Sequence, residues 1–224
     1  LATFIDGITR GAARLQGVID AMVDVSLIET GGLVLHLSCV PVGYVLQGAI
    51  HAVQPAVQQR NMTLTVQDMT SLPPIEADVA LLDQVFRGLL SNAIKYSPDG
   101  SEIVVSGRLA LGLDASDEAS SEASSEGAVE ILVADAGIGV DPDQQAVIFE
   151  KFYRPESPLQ HSTDPVRFKG AGPGLGLAIA KGIVVAHKGR IWVESKGRDE
   201  ERCPGSTFYV RLPVAPLSQE VVDA

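Results

Sequence analysis

Residues 133–140, V-A-D-A-G-I-G-V, constrain this chain more than any other stretch. They read as a buried strand that stops at an acid and opens into a glycine loop. An acid followed at plus two and plus four by glycine suits a pocket that reads a base. The Asp135 carboxylate can accept an exocyclic N–H, and Gly137 and Gly139 let backbone approach a flat ring closely. The same spacing also serves ordinary turns. Two further stretches shift the balance: residues 89–96, L-L-S-N-A-I-K-Y, and residues 170–177, G-A-G-P-G-L-G-L.

Hydrophobic periodicity places these stretches on a coarse map. Residues 1–29 read as a helix, with Ile5, Ile8, Ala12, Leu15, Ile19 and Met22 at alternating spacings of three and four, an apolar seam of the coiled-coil or bundle kind. Gly7, Gly11 and Gly17 each weaken it by up to ~1 kcal/mol relative to Ala, so it should lean on a partner. Gly31 and Gly32 stop it. A short strand is expected at 33–37. A helix follows at 42–59, with Pro41 near its start and Pro55 as a kink or early end. Residues 62–66 read as a strand. Asp78 can cap a helix running to Tyr96, with Leu82, Val85, Leu89 and Ala93 on its core face.

The turn Ser97-Pro98-Asp99-Gly100 leads to strands at 102–109 and 129–134. The acidic, low-complexity run 112–127 between them is expected to be a mobile loop. Asp141-Pro142-Asp143-Gln144 predicts a capped helix start, ending near 150–153. The polar, proline-punctuated run 154–170 has the length of a functional lid. Residues 175–187 predict an apolar helix closed by Gly189, and 190–195 with 206–212 a final hairpin. The tail from 213 onward reads as loose. No internal repeat is visible. The order gives an α+β chain: one long helix, then a mixed sheet layered with about three helices.

Composition removes several alternatives. The 224 residues carry a formal net charge of −11, which repels the phosphates of nucleic acid. Cys39 and Cys203 form neither a disulfide framework nor a zinc pattern, and fit a reducing compartment. No apolar run is long enough to span a bilayer. The chain begins at Leu, so it is expected to be part of a longer, cytoplasmic or membrane-anchored protein.

In order and spacing, the glycine and acid stretches resemble the catalytic ATP-binding domain of two-component sensor histidine kinases, whose Bergerat-type fold is shared with gyrase, Hsp90 and MutL ATPases. Residues 89–98 look like that family's N box and 135–139 like its G1 box. Residues 149–154, F-E-K-F-Y-R, look like its F box and 172–177 like its G2 box. Residues 205–208, G-S-T-F, match the start of its closing strand. The resemblance divides the chain at 1–31, 32–214 and 215–224, with a lid at 153–171. The first part resembles only the second helix of the dimerisation hairpin, notably at Arg14-Leu15 and at 26–31.

The resemblance implies roles. Asn92 would ligate Mg²⁺ through its amide oxygen, a hard donor for a hard cation. Lys95 would offer a point charge to phosphate, and Tyr96 would lie near adenine and sugar. Asp135 would take the adenine amino group, with Gly137 and Gly139 on the same wall. Gly172, Gly174, Leu175 and Gly176 would present N–H groups to phosphates at a helix start. Arg154, Arg167 and Lys169 would flank the lid, and Phe149 and Phe152 would anchor its first hinge.

Related ATPases place a water-activating glutamate four residues before the metal-binding Asn, and sensor kinases commonly place a second Asn there. This chain has Gly88. That disfavours hydrolysis, favours transfer to an external nucleophile, and leaves a metal coordination place to water. The family's acceptor is a histidine followed by an acid. His36, His51, His161 and His187 are followed by Leu, Ala, Ser and Lys. The expectation is therefore a Mg·ATP-binding portion that cannot phosphorylate itself. It would serve a histidine on an absent helix, homodimerise through its first helix in the full protein, and feed a response regulator. A serine kinase of the same fold and a non-catalytic nucleotide-sensing scaffold are the rival readings.

Overall fold

The computed structural model describes residues 2–110, 127–153 and 174–215. The acidic run at 112–126, the lid from 154 to 173 and the tail from 216 onward lie outside these residues.

The chain opens with α1 (Ala2–Glu29) and continues through β1 (Ser38–Val40), α2 (Val42–Gln59), β2 (Thr63–Val66), β3 (Ile75–Ala77) and α3 (Val79–Tyr96). Then come β4 (Glu102–Ala110), β5 (Ala128–Asp135), a single 3₁₀ turn (Val147–Phe149), α4 (Gly176–Ala186), β6 (Arg190–Glu194) and β7 (Ser206–Pro213). Five strands form one mixed sheet in the order β2-β4-β5-β7-β6, in which only β2 and β4 run parallel. A small antiparallel pair, β1 with β3, is joined to it through a bridge from Ile75 to Val214.

Period-two alternation in β5 and β7 sends Val129, Ile131, Val133, Phe208, Val210 and Leu212 to one face. There they meet the apolar stripes of α2, α3 and α4, including Leu46, Leu89 and Ile183, in one continuous core. Each such side chain, fully buried, contributes ~1.5–3 kcal/mol relative to exposure. On the opposite face Glu130 is also fully buried. It is paired with Arg108 on β4 and, at 2.8 Å, with Arg211 on β7, which is how a sheet tolerates an interior carboxylate.

Asp78 caps α3 as its position predicts: its carboxylate accepts the N–H groups of Ala80 and Leu81. It also accepts the His36 N–H. Burial opposes its ionisation, but the N–H groups of His36, Leu81 and Ala80 outweigh that and hold the carboxyl below its ordinary range. The backbone N–H of Asp78 donates in turn to Nε2 of buried His187 at 3.0 Å. The His187 proton is then on Nδ1, donated to the Ile183 carbonyl at 2.8 Å.

Four expectations need correction. The strand foreseen at 33–37 forms instead at Ser38–Val40, where β3 supplies partners, and β3 itself was not foreseen. Helix α2 runs to Gln59 as expected, so of the two outcomes foreseen at Pro55 the early end does not occur; Pro55 and His51, whose carbonyl loses its usual helical donor there, are both exposed, so water can satisfy that group. The capped helix foreseen at Asp141 is a run of turns closing in the 3₁₀ turn. The Asp141 carboxylate is used elsewhere, accepting the N–H of Arg198 at 2.9 Å.

The seam of α1 is largely uncovered: Ile8, Leu15, Ile19 and Met22 are exposed. Another face of the same helix is covered near its C-terminal end, where Ala21, Val25 and Ile28 pack on the core. Among the described residues no helix is long and apolar enough to cross a membrane.

Candidate functional site

The site is assembled where α3 ends, β5 ends and α4 begins. Helix α3 stops at Tyr96 because Ser97 is extended ahead of Pro98. Asn92, Lys95 and Tyr96 all lie half-buried on its last two turns, with the Lys95 ammonium 5.2 Å from the centre of the Tyr96 ring.

Strand β5 delivers Asp135 as its final residue, paired with Ile103 on one side and Ser206 on the other. Oδ1 of Asp135 accepts the N–H of Gly137 at 2.8 Å and of Ser206 at 3.3 Å. Both bonds fall on one oxygen, so Oδ2 is the acceptor left for a ligand. Burial pushes the carboxyl up to about 6, against the pull of the Gly137 and Ser206 N–H groups. A carboxylate kept partly desolvated is a strong, selective acceptor for an amino group.

The glycines of this loop have a reason inside the protein. A Cβ on Gly137 would stand 2.5 Å from the Tyr96 carbonyl and 2.7 Å from Asp135 Oδ1. Gly139 has φ +76°, and a Cβ there would strike the Gly197 carbonyl, Pro204 and Ser195. The loop is then laced to its surroundings. Ile138 N–H donates to the Tyr96 carbonyl at 3.0 Å, and Asp199 N–H donates to the Ile138 carbonyl at 2.8 Å. Ser195 Oγ accepts from Val140 N–H at 3.1 Å and donates to the Gly205 carbonyl at 2.6 Å.

Gly174, with φ +74°, turns the chain into α4, and its carbonyl accepts the Phe152 N–H at 2.9 Å. Fully buried Leu175 fixes the helix start, and Gly176 is the first, exposed residue of α4. The helix N-terminus there can receive an anion. Phe149 is buried edge-on against Phe208, ring centres 6.4 Å apart, whereas Phe152 is largely exposed. Arg154, Arg167, Lys169 and Gly172 lie outside the described residues.

The donor set suits Mg²⁺ only together with a phosphate ligand. Among the described residues no cluster of three His, Cys, Asp or Glu side chains could hold an ion. The Asn92 amide oxygen beside Lys95 fits a cation whose remaining places come from phosphate oxygens and water.

The family described as "Histidine kinase-, DNA gyrase B-, and HSP90-like ATPase" matches residues 77–216, which carry all of these features. The chain belongs to this family. Among curated relatives of this ATPase domain, it is 27% identical over 215 residues to sensor-like histidine kinase SenX3 of Mycolicibacterium smegmatis, covering 95% of this chain and 48% of that one. It is 32% identical over 168 residues to adaptive-response sensory kinase SasA of Synechocystis, covering 75% and 37%. The chain thus spans about half or less of the length of these relatives. Its fold is also that of full-length ShkA, solved in complex with AMPPNP, with a TM-score of 0.72 at 23% identity, covering 96% of this chain and 39% of that one. The Acinetobacter baumannii histidine kinase AdeS gives 0.66 at 20% identity, covering 96% and 85%.

Two contributors to the site escaped sequence reasoning. In the sequence Ser206 reads only as the start of a closing strand, yet its N–H shares Asp135. Arg60, at the end of α2, has no visible motif. Its buried guanidinium donates to the Ile94 carbonyl, to the Ser97 carbonyl at 2.8 Å and to Asp99 Oδ1 at 2.7 Å.

Proposed function

We propose that this chain is the ATP-binding catalytic portion of a sensor histidine kinase. It transfers the γ-phosphoryl of ATP to a histidine on a dimerisation helix outside this chain, for relay to an aspartate of a response regulator. The observation that carries this reading is the position of Asp135. Its half-buried carboxylate ends β5, with one oxygen tied to backbone and the other left for a ligand, beside the helix end bearing Asn92, Lys95 and Tyr96.

Asp135 selects adenine by accepting its amino group, and Tyr96 lies near base and sugar. Asn92 would hold Mg²⁺, which when bound neutralises phosphate charge. Lys95 and the N–H groups at the start of α4 orient the triphosphate toward an acceptor. Gly88, one turn before Asn92, supplies no carboxylate to activate water, which supports transfer over hydrolysis. Helix α1 serves as the second helix of the hairpin, and its exposed Ile8, Leu15 and Ile19 as the seam that pairs in the full protein. His36, His51, His161 and His187 are not acceptors.

The test is phosphoryl transfer from γ-labelled ATP to a supplied hairpin bearing the acceptor histidine. Acid-labile label on that hairpin, and none on this chain alone, is expected. ATP binding without transfer would instead favour a nucleotide-sensing scaffold, and acid-stable label a serine kinase.

A further inference from the structure

The last turn of α3 carries Lys95 and Tyr96, yet a helix C-terminus leaves its final carbonyls without intrahelical partners. Two residues outside the helix take the carbonyls of Ile94 and Tyr96, and one of them also takes that of Ser97 just beyond. Ile138, in the loop that follows Asp135, donates to the Tyr96 carbonyl. Arg60, just after α2, donates to those of Ile94 and Ser97. Arg60 is buried, and its Nε is fixed by Asp99. Its own carbonyl accepts the Gly100 N–H at 3.1 Å, closing the turn that follows α3. One planar guanidinium therefore spans the helix end and the turn beyond it, with a charge suited to the negative end of the helix dipole. Arg60 lies outside residues 77–216, the stretch that the family matches.

We infer that Arg60 is a positioning residue for nucleotide binding: by clamping the Ile94 and Ser97 carbonyls it holds Lys95 and Tyr96 in the orientation that meets ATP. It touches no ligand and acts through the helix end. This inference rests on the nucleotide site proposed above.

The experiment is calorimetric titration with Mg·ATP of the native chain, Arg60→Met and Arg60→Lys. It is run well below each unfolding midpoint, with urea unfolding in parallel. Met keeps the apolar stem and removes every donor. Lys keeps the charge but cannot span both carbonyls and Asp99 at once. The expected result is a loss of affinity of about tenfold or more for Met, which is ~1.4 kcal/mol. Lys, which can keep only part of the clamp, is expected to recover part of that loss and to stay about threefold below native, whatever its urea midpoint. Native affinity in Arg60→Met would overturn the inference and leave the nucleotide site standing. A native chain without affinity for Mg·ATP would overturn both. Should the Met variant not fold, Arg60→Lys decides: a loss of about threefold supports the clamp, and unchanged affinity refutes it.

Discussion

The Tyr96 carbonyl accepts the N–H of Ile138 at 3.0 Å. This one bond joins the end of the helix that carries Asn92 and Lys95 to the loop that follows Asp135. The groups expected to face phosphate and the group expected to face the base are therefore set by the same piece of backbone. Disturbing that junction should affect both ends of a nucleotide together.

Gly137→Ala disturbs it directly. The added methyl would stand 2.5 Å from the Tyr96 carbonyl and 2.7 Å from Asp135 Oδ1, and neither is the free end of a flexible chain. Overpacking of this kind costs ~1–3 kcal/mol. Urea unfolding should show that loss, and titration with ATP a weaker complex. Native stability in this variant would mean that the two segments are not held together.

Asp135 is expected to be a site where function is kept at the expense of stability. Its carboxyl is raised from 3.8 to about 6, chiefly by burial. The folded protein then holds this proton more tightly than the unfolded chain. Stability therefore falls as pH rises from about 4 to about 6, and the cost is fully present above that range. Asp135→Asn removes the buried charge and keeps an oxygen for the Gly137 and Ser206 N–H groups. It should stabilise the fold by ~1–3 kcal/mol at pH 7.5 while weakening ATP binding. A lower melting temperature than native would contradict this.

The same titration should appear in binding. The proton enters on Oδ2, because Oδ1 is engaged by two N–H groups, and it turns an acceptor for the adenine amino group into a donor. Affinity for ATP should fall below pH 6 and be down about tenfold at pH 5. Asp135→Asn, measured in parallel, subtracts the titration of the nucleotide itself and should lack this component. Identical profiles for the two proteins would remove Asp135 from base recognition.

Gly88 has open space where a Cβ would point, and it stands one turn before Asn92 on the same helix face. Gly88→Asn should fit without collision and add a second amide oxygen for Mg²⁺. The enhancement of ATP affinity by Mg²⁺ should rise about threefold or more in titrations with and without the metal. No change would mean that position 88 does not face the metal.

Helix α1 should exchange its amide hydrogens unevenly in a single copy of this chain. Ala21, Val25 and Ile28 are packed on the core, Gln84 bonds Asp24 at 2.7 Å, and Glu29 pairs with Lys151. The half containing Ile8 and Leu15 has exposed apolar residues and three glycines within seventeen positions. Protection should therefore rise toward Glu29, and even out at concentrations where copies pair. Uniform protection at nanomolar concentration would count against a seam that needs a partner.

What was legible in the sequence was local. Asp78 reads as a cap because its neighbours within three residues are its partners. The buried strand ending at Asp135, the glycine turn before α4 and the final hairpin are likewise carried by patterns a few residues long. What failed was decided at a distance. Asp141 has every mark of a helix cap, but Arg198, more than fifty positions away, takes its carboxylate. The three-residue strand Ile75–Ala77 is too short to show a period and exists because β1 pairs with it. Pro55 is tolerated only because its side of α2 is exposed. Arg60 reads as an unremarkable polar residue after a helix, and its buried bonds to carbonyls 34 and 37 positions on could not be read from spacing.

The most direct test of the central claim is calorimetric titration with ATP, with and without Mg²⁺, of the native chain and of Asp135→Ala. The account predicts binding by the native chain that Mg²⁺ strengthens and that Asp135→Ala largely abolishes while remaining folded. No binding by the native chain, or equal binding by the variant, would contradict it.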